Sequence, residues 1–284
     1  MIVLTEMPDT FAEVVRRWST HNAKFRSGDQ IDPGTEWFLY QTLVGAWPIS
    51  TERLREYMQK AMREAKVRTS WVANNAEYEN ALNGYIDAIL GDHEFVAELE
   101  KFVGDIATAG RVNSLAQTLM KYTAPGVPDL YQGGELWDFS LVDPDNRRPV
   151  DYCRRAELLK EMQSLNVVQV LERGDEGLPK LWVVHKALLL RKEHPDWFGP
   201  GADYAALAIE GTERERVIAY RRGERVLTVV PRWSLEAKAW GETAVDVPGG
   251  RWRNRLTGAE CEGGRVLVGE LLKTFPVALL VRES

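Results

Sequence analysis

The sequence predicts an α+β fold, and three observations predict it. Residues 1–110 place apolar side chains at helical spacing between short polar breaks. Residues 111–200 run from a helix through a short apolar strand into a polar loop and two further helices. Residues 201–284 replace helical periodicity with short β-branched runs bounded by glycine and proline. These three stretches are the expected domains.

The first helix follows Pro8. Thr10, with Glu13 three residues on, has the pattern of a capping box, and Phe11, Val14, Val15 and Trp18 fall on one face. A Gly/Asp/Pro break over 27–34 precedes a second helix carrying Trp37, Tyr40, Leu43, Val44 and Trp47, which Pro48 stops. Ser50 starts a third, with Leu54, Tyr57, Met58, Ala61, Met62 and Ala65 inward. Tyr78, Leu82, Tyr85, Ile86 and Ile89 mark a fourth helix, and Phe95, Leu99, Phe102, Val103 and Ile106 a fifth. A separate helix over 111–123, with Val112, Leu115, Leu119 and Met120 on one side, leads through Ala124-Pro125-Gly126 into a short strand at Val127, Leu130 and Tyr131. Helix, turn and strand in that order form the repeating unit of an α/β barrel, and such strands empty into site-building loops.

A helix over 151–165 is expected to cover that loop. Another, over 178–193, has so apolar a centre (Leu181, Trp182, Val183, Val184, Leu188, Leu189) that it is expected between layers. Six β runs follow, at 217–220, 226–230, 243–247, 251–255, 266–268 and 275–281. Arg222-Gly223, Pro248-Gly249-Gly250 and Glu262-Gly263-Gly264 read as the turns of a small antiparallel domain.

Composition bounds the function. With 44% hydrophobic and 27% charged residues the chain reads as globular. A net charge of -6 argues against a nucleic-acid partner, which needs clustered Lys and Arg. No apolar run approaches the roughly 20 residues of a membrane span, and the first residues lack the basic flank and apolar core of a signal peptide. No membrane association and a cytoplasmic location are therefore expected. Cys153 and Cys261 lie far apart and are read as free thiols. The histidines His21, His93, His185 and His194 share no ligand spacing, so no metal is expected, and no cofactor. The ten tryptophans suit stacking on sugar faces, although most tryptophans are core.

The richest stretch is the loop after the apolar strand, where Gly133-Gly134 opens a run holding Glu135, Asp138, Asp143, Asp145, Arg147 and Arg148. Pro128-Asp129-Leu130-Tyr131-Gln132-Gly133-Gly134-Glu135 resembles the last barrel strand and following loop of the α-amylase superfamily, glycoside hydrolase family thirteen. The continuation from Leu136 to Asp151, with Leu141-Val142-Asp143-Pro144-Asp145-Asn146-Arg147-Arg148 at its centre, resembles one branch, the maltooligosyl trehalose synthases. The resemblance extends more loosely over the chain, including residues 36–43, 65–71 and 113–119. It implies that the chain is the C-terminal portion of such an enzyme: an insertion and barrel wall over 1–110, the last strand and helix of a (β/α)8 barrel, and a C-terminal antiparallel β-sandwich.

The family carries its nucleophilic Asp, acid/base Glu and second Asp on earlier barrel strands. The resemblance thus puts the triad upstream of Met1, leaves no catalytic residue here, and implies an isolated chain without activity. The missing N-terminal barrel portion is an expected partner, and a maltooligosaccharide the expected substrate. The parent activity would convert the reducing-end α-1,4 linkage to an α,α-1,1 linkage by retaining intramolecular transglucosylation. An unpaired strand edge is a hazard, so either an altered local fold over 127–131 or a partner at that edge is expected.

A retaining glycosidase needs two carboxyl groups about 5 Å apart, and Glu135 with Asp138 or Asp143 offers the residue types. The resemblance argues instead for positioning. Tyr131, Gln132, Glu135, Trp137, Asp138 and Asp143 are expected to bind substrate through hydroxyl hydrogen bonds and ring stacking. Asp145, Asn146, Arg147 and Arg148 are expected to hold the loop in shape, with Asp143, Asp145, Arg147 and Arg148 pairing with one another. In residues 66–75, Arg68 and Trp71 are further candidate glucan contacts; the competing reading is a helix junction capped by Asn74 or Asn75 and anchored by Trp71. Two rival functions remain: a non-catalytic α-glucan-binding module, and another family-thirteen glucanotransferase or hydrolase. Binding without turnover would distinguish the first.

Overall fold

The structure, a computed structural model, describes residues 1–28, 30–236 and 239–283. The chain divides into two compact units, one of residues 1–108 and 139–149, the other of 109–138 and 150–284. Of the expected break over 27–34, Asp29 lies outside the described residues.

The first unit is helical. α1 (Pro8–Asn22) starts at a proline, whose missing N–H costs nothing in the first turn, with Met7 at the N-cap and no side-chain cap. Thr10 lies inside the helix, so the expected capping box does not form. α2 (Pro33–Ala46) is capped by Asp32, which accepts from Thr35 N. α3 (Thr51–Ala65) is capped by Ser50 and ends on Lys66 in the left-handed region, and α4 (Ala76–Gly91) is capped by Asn75. α5 (His93–Thr123) is a single helix of 31 residues, not the expected two. Trp18 sits at the centre of the core, with ring centroids 5.5 Å from Tyr40, 5.6 Å from Phe95 and 5.7 Å from Phe102. Leu39, Leu43, Leu54, Met58, Ile86 and Leu99 are buried in the same unit.

Inside this core lies Glu36, held by Arg26 (2.7 Å), Ser19 (2.8 Å), Tyr40 (2.8 Å) and Tyr85. Burial alone would raise the Glu36 carboxyl, but the bonds from Arg26, Tyr85, Ser19 and Tyr40 hold it below its usual range. A buried carboxylate so completely donated to is a structural group.

In the second unit, residues 124–131 form no strand. Val127 is 98% exposed, and the described sheet offers this segment no ladder. The expected strand is corrected to irregular chain, which fits the altered local fold anticipated for an edge without neighbours. Three helices follow: α6 (Tyr152–Met162), capped by Asp151; α7 (Val167–Glu172), capped by Asn166; and α8 (Leu178–Glu193), whose N-cap Gly177 has a φ of +80°.

The β region is one seven-stranded antiparallel sheet: β1 (Tyr204–Ala206), β2 (Ile209–Glu210), β3 (Val217–Arg222), β4 (Val226–Pro231), β5 (Ala244–Asn254), β6 (Glu260–Leu267) and β7 (Ala278–Arg282). The order is β1-β3-β4-β7-β5-β2, with β6 also pairing β5. The strands are thus hydrogen-bonded into one sheet, not the two of a sandwich. β4 is buried along its whole length, and alternation sends its side chains into two cores. Val226 and Val230 join a core with Leu115 and Leu119 of α5 and Val183 and Leu190 of α8. Leu227 and Val229 join Val245, Val247 and Trp252 of β5, with Val268 and Leu271 of α9 (Val268–Leu271).

Both glycine pairs read as turns lie inside strands. β5 continues through Pro248-Gly249-Gly250 with a shifted register between Val247 and Arg251, opposite Gly264 and Glu262 of β6. A Cβ on Gly263 would stand 2.3 Å from the Pro248 carbonyl oxygen. The glycines allow two backbones to touch at a bulge.

Candidate functional site

The sequence-predicted site residues fall in both units. In the second, Tyr131, Gln132, Glu135, Trp137 and Asp138 lie on the segment after α5. Glu135 Oε2 accepts from Arg155 Nε at 3.0 Å, and Arg155 Nη2 donates to the Gly133 carbonyl at 2.9 Å, so α6 clamps the glycine turn. Trp137 donates Nε1–H to the Gly174 carbonyl at 2.6 Å, and Lys180 Nζ donates to the Leu136 carbonyl at 2.9 Å. Gly177 makes room for this docking: a Cβ there would lie 3.0 Å from Trp137 N. Trp137 is therefore half-buried in the core, with the Arg111 guanidinium 5.9 Å from its ring. Tyr131 is exposed and can present its ring to a ligand.

Tyr122 lies at the end of α5 and was not singled out by the sequence. It is 1% exposed, and among the described residues its hydroxyl has no hydrogen-bond partner. Burial first, then the charges of Glu135 and Asp129, push its phenol up to about 12. Nothing in the sequence sets this tyrosine apart from a core one.

In the first unit, Asp145 is the hub of residues 139–149. Arg53 binds it with two bonds of 2.9 Å, Leu141 N donates at 2.7 Å, and Arg148 Nε lies 3.0 Å from Oδ1. The Arg53 bonds outweigh burial and keep the Asp145 carboxyl below its usual range. Asp143 pairs with Arg147, and its carbonyl accepts from Lys60. Asn146 lies in the 3-10 turn Asp145–Arg147. The organising residue is Arg53, 92 positions from Asp145 in sequence, which no local pattern could reveal.

Residues 66–75 are organised by Glu79. It is 8% exposed and accepts from Arg63 at 2.8 and 2.7 Å, Thr69 at 2.6 Å and Gln59 at 3.0 Å. These bonds, led by Arg63, lower its carboxyl to about 2. Asn75 caps α4 by accepting from Tyr78 N at 3.1 Å. Trp71 is 53% exposed and donates to Glu64 at 2.8 Å, with the Arg63 guanidinium 4.9 Å from its ring. Arg68 instead faces a cavity of about 260 Å³ lined with Asp32, Thr35, Met62 and Tyr78. Its guanidinium lies 3.8 Å from Asp32 and 5.9 Å from the Tyr78 ring. The junction reading and the binding reading thus share one loop: Asn75 and Thr69 shape it, and Arg68 remains half-exposed at a pocket. Sequence reasoning missed Asp32, read as part of a break, and Tyr78, read as core.

Among the described residues no cluster of His, Cys, Asp and Glu could hold a metal, and no helix is long and apolar enough to cross a membrane. Cys153 and Cys261 are free.

A helical unit and a unit of helices with one antiparallel sheet, each with guanidinium groups and indoles on partly open loops, define an α+β protein. No family model matches the chain. A curated relative from Mycobacterium tuberculosis, named as a maltooligosyl trehalose synthase, is 40% identical over 262 residues, 89% of this chain and 32% of the relative. The solved maltooligosyltrehalose synthase of Arthrobacter ramosus is 37% identical, with a TM-score of 0.84 over 99% of this chain and 36% of its own. A Sulfolobus tokodaii structure titled with the same enzyme is 31% identical, with a TM-score of 0.78 over 99% of this chain and 36% of its own. The chain is similar in sequence and structure to a portion of maltooligosyl trehalose synthase, consistent with the C-terminal portion, and spans about a third of the length of the curated relatives it matches.

Proposed function

We propose that the chain serves as the C-terminal part of an enzyme that rearranges the reducing end of a maltooligosaccharide, converting its last α-1,4 linkage to an α,α-1,1 linkage. The observation that carries this reading is 37% identity across 99% of the chain to a solved maltooligosyltrehalose synthase. Residues 1–110 are assigned to an insertion and barrel wall, 111–200 to the last strand position and helix of a (β/α)8 barrel, and 201–284 to the β domain closing the enzyme.

The chemistry would be retaining. An Asp attacks the anomeric carbon, a Glu protonates the leaving oxygen, and the released glucose turns and attacks again through its own anomeric hydroxyl. Those carboxylates are assigned to the portion of the enzyme that precedes these residues. Glu135, which sequence alone would nominate with Asp138 or Asp143, is engaged by Arg155, and Asp143 pairs with Arg147, which suits positioning better than nucleophilic attack. Exclusion of water favours rearrangement over hydrolysis, and the docked Trp137 segment supports a role as wall. Arg68, donating to sugar hydroxyls, and Trp71, stacking on a ring, are proposed contacts for the glucan chain.

Incubating the 284-residue chain with maltopentaose tests the assignment. Neither trehalosyl product nor free glucose is expected. Formation of trehalosyl product would overturn the placement of the catalytic carboxylates outside these residues. In parallel, maltopentaose binding is expected to weaken in Arg68→Ala and Trp71→Ala, and unchanged affinity in both would remove residues 66–75 from substrate recognition.

A further inference from the structure

A second cavity, in the other unit, has a different character. It measures about 520 Å³ and is lined by Trp182 and Lys186 of α8, by Arg253 and Asn254 at the end of β5, and by the turn from Arg255 to Gly258. β alternation produces its basic wall. Trp252 and Asn254 are buried, so Arg253 and Arg255 are turned to the other side of the strand. The turn is fixed from within, because Asn254 accepts from Leu256 N at 3.0 Å and Gly258 N donates to the Asn254 carbonyl at 2.7 Å. Trp182 ties α8 to it by donating to the Leu256 carbonyl at 3.0 Å.

Three cations line this cavity and no carboxylate does. In a chain of net charge -6 that is a local reversal of sign. Arg255 reaches one partner, Glu193, at 2.9 Å. Lys186 and Arg253 have no carboxylate within ion-pair distance among the described residues; the carboxylate charge that acts on Arg253 is that of Glu260, opposite it across the β5–β6 ladder. The Lys186 ammonium lies 4.3 Å from the Trp182 ring. Burial first, and then the Arg255 charge, hold its pKa below the ordinary value, against a smaller opposing pull from Glu193.

We propose that this cavity binds a phosphate monoester, with Lys186, Arg253 and Arg255 holding the phosphoryl oxygens. A phosphoryl group carries close to two negative charges and several acceptor oxygens, which matches three cationic side chains lining one cavity. The volume leaves room for a sugar ring beside it. Binding here is separate from the glucan contacts proposed above, and does not rest on them.

The test is calorimetric titration of the whole chain with glucose 6-phosphate and with inorganic phosphate, against glucose and sodium chloride at matched ionic strength. Saturable binding below about 1 mM is expected for a phosphate probe and not for the controls. Tighter binding of glucose 6-phosphate identifies a sugar phosphate as the ligand, and equal binding identifies free phosphate. Lys186→Gln and Arg253→Gln should each weaken binding about tenfold, while Lys273→Gln, on an exposed lysine elsewhere, should not. Arg253 is exposed, so its variant decides the matter if Lys186→Gln fails to fold. Absence of saturation with both probes, or unchanged affinity in Arg253→Gln, overturns the proposal.

Discussion

The Glu79 carboxylate offers the sharpest test of what shapes residues 66–75. Its bidentate pair with Arg63 leaves the two side chains only 9% and 16% exposed, and Thr69 and Gln59 occupy its remaining lone pairs. Removing one partner of so enclosed a pair strands the other, at a cost of about 3 kcal/mol. Glu79→Gln should approach that figure in urea unfolding followed by circular dichroism, and Arg63→Met should destabilise in the same direction. The double variant should cost less than the two together. The exposed pair Lys101 and Asp105 supplies the contrast, since its side chains are 78% and 62% exposed and its coupling should stay near 0.5 kcal/mol or below. Limited trypsin digestion gives a local reading, because Thr69 is the tether between Glu79 and the loop bearing Lys66 and Arg68. Cleavage there should accelerate in Glu79→Gln. Coupling no larger than that of the exposed pair, with unchanged cleavage, would refute the argument that Glu79 holds the loop.

Acid should act on the same group. The folded carboxyl lies near 2 against an ordinary 4.5, so its contribution is complete above about 4.5 and is lost as pH falls through the window to about 2; Glu79→Gln should flatten stability over that range. Asn75→Ala should cost about 1 kcal/mol by removing the α4 cap, read as a lowered urea midpoint. Gly263→Ala should cost about 3 kcal/mol, because its Cβ would fall 2.3 Å from the Pro248 carbonyl oxygen, whereas Gly91→Ala, with open space around it, should be tolerated. In a full-length enzyme containing this chain, Trp137→Ala or Glu135→Ala should raise the ratio of glucose released to trehalosyl product, and an unchanged ratio would dissociate the segment from water exclusion.

The helices were legible because apolar spacing and capping residues are local: Ser50 and Asn75 announce the starts of α3 and α4. The break expected between residues 106 and 111 was not real, since small residues such as Ala107, Ala109 and Gly110 continue a helix when packing supports it. The glycine pairs at 249–250 and 263–264 have the composition of turns, and only pairing across the sheet reveals that they accommodate one another. Residues 127–131 have the apolar character of a strand but no neighbour to hydrogen-bond. Within the candidate site, the residue types were visible and the partners were not. Arg53 for Asp145, Arg155 for Glu135 and Asp32 for Arg68 come from distant parts of the chain, and charge complementarity at long range leaves no periodic trace.

The contact of Gly263 with Pro248 and Gly249 also bears on how the β5–β6 hairpin finds its pairing. Sliding β6 by one residue in the direction that brings Glu262 to the crossing would press a side chain into a gap that admits only hydrogen atoms, whereas the opposite slip brings another glycine, Gly264. The crossing therefore rejects slippage sterically in one direction and leaves the other to the apolar matching of Val245 and Val247 with the rest of the core. It works as a ratchet: it contributes no attraction, yet it bars one way of closing out of step.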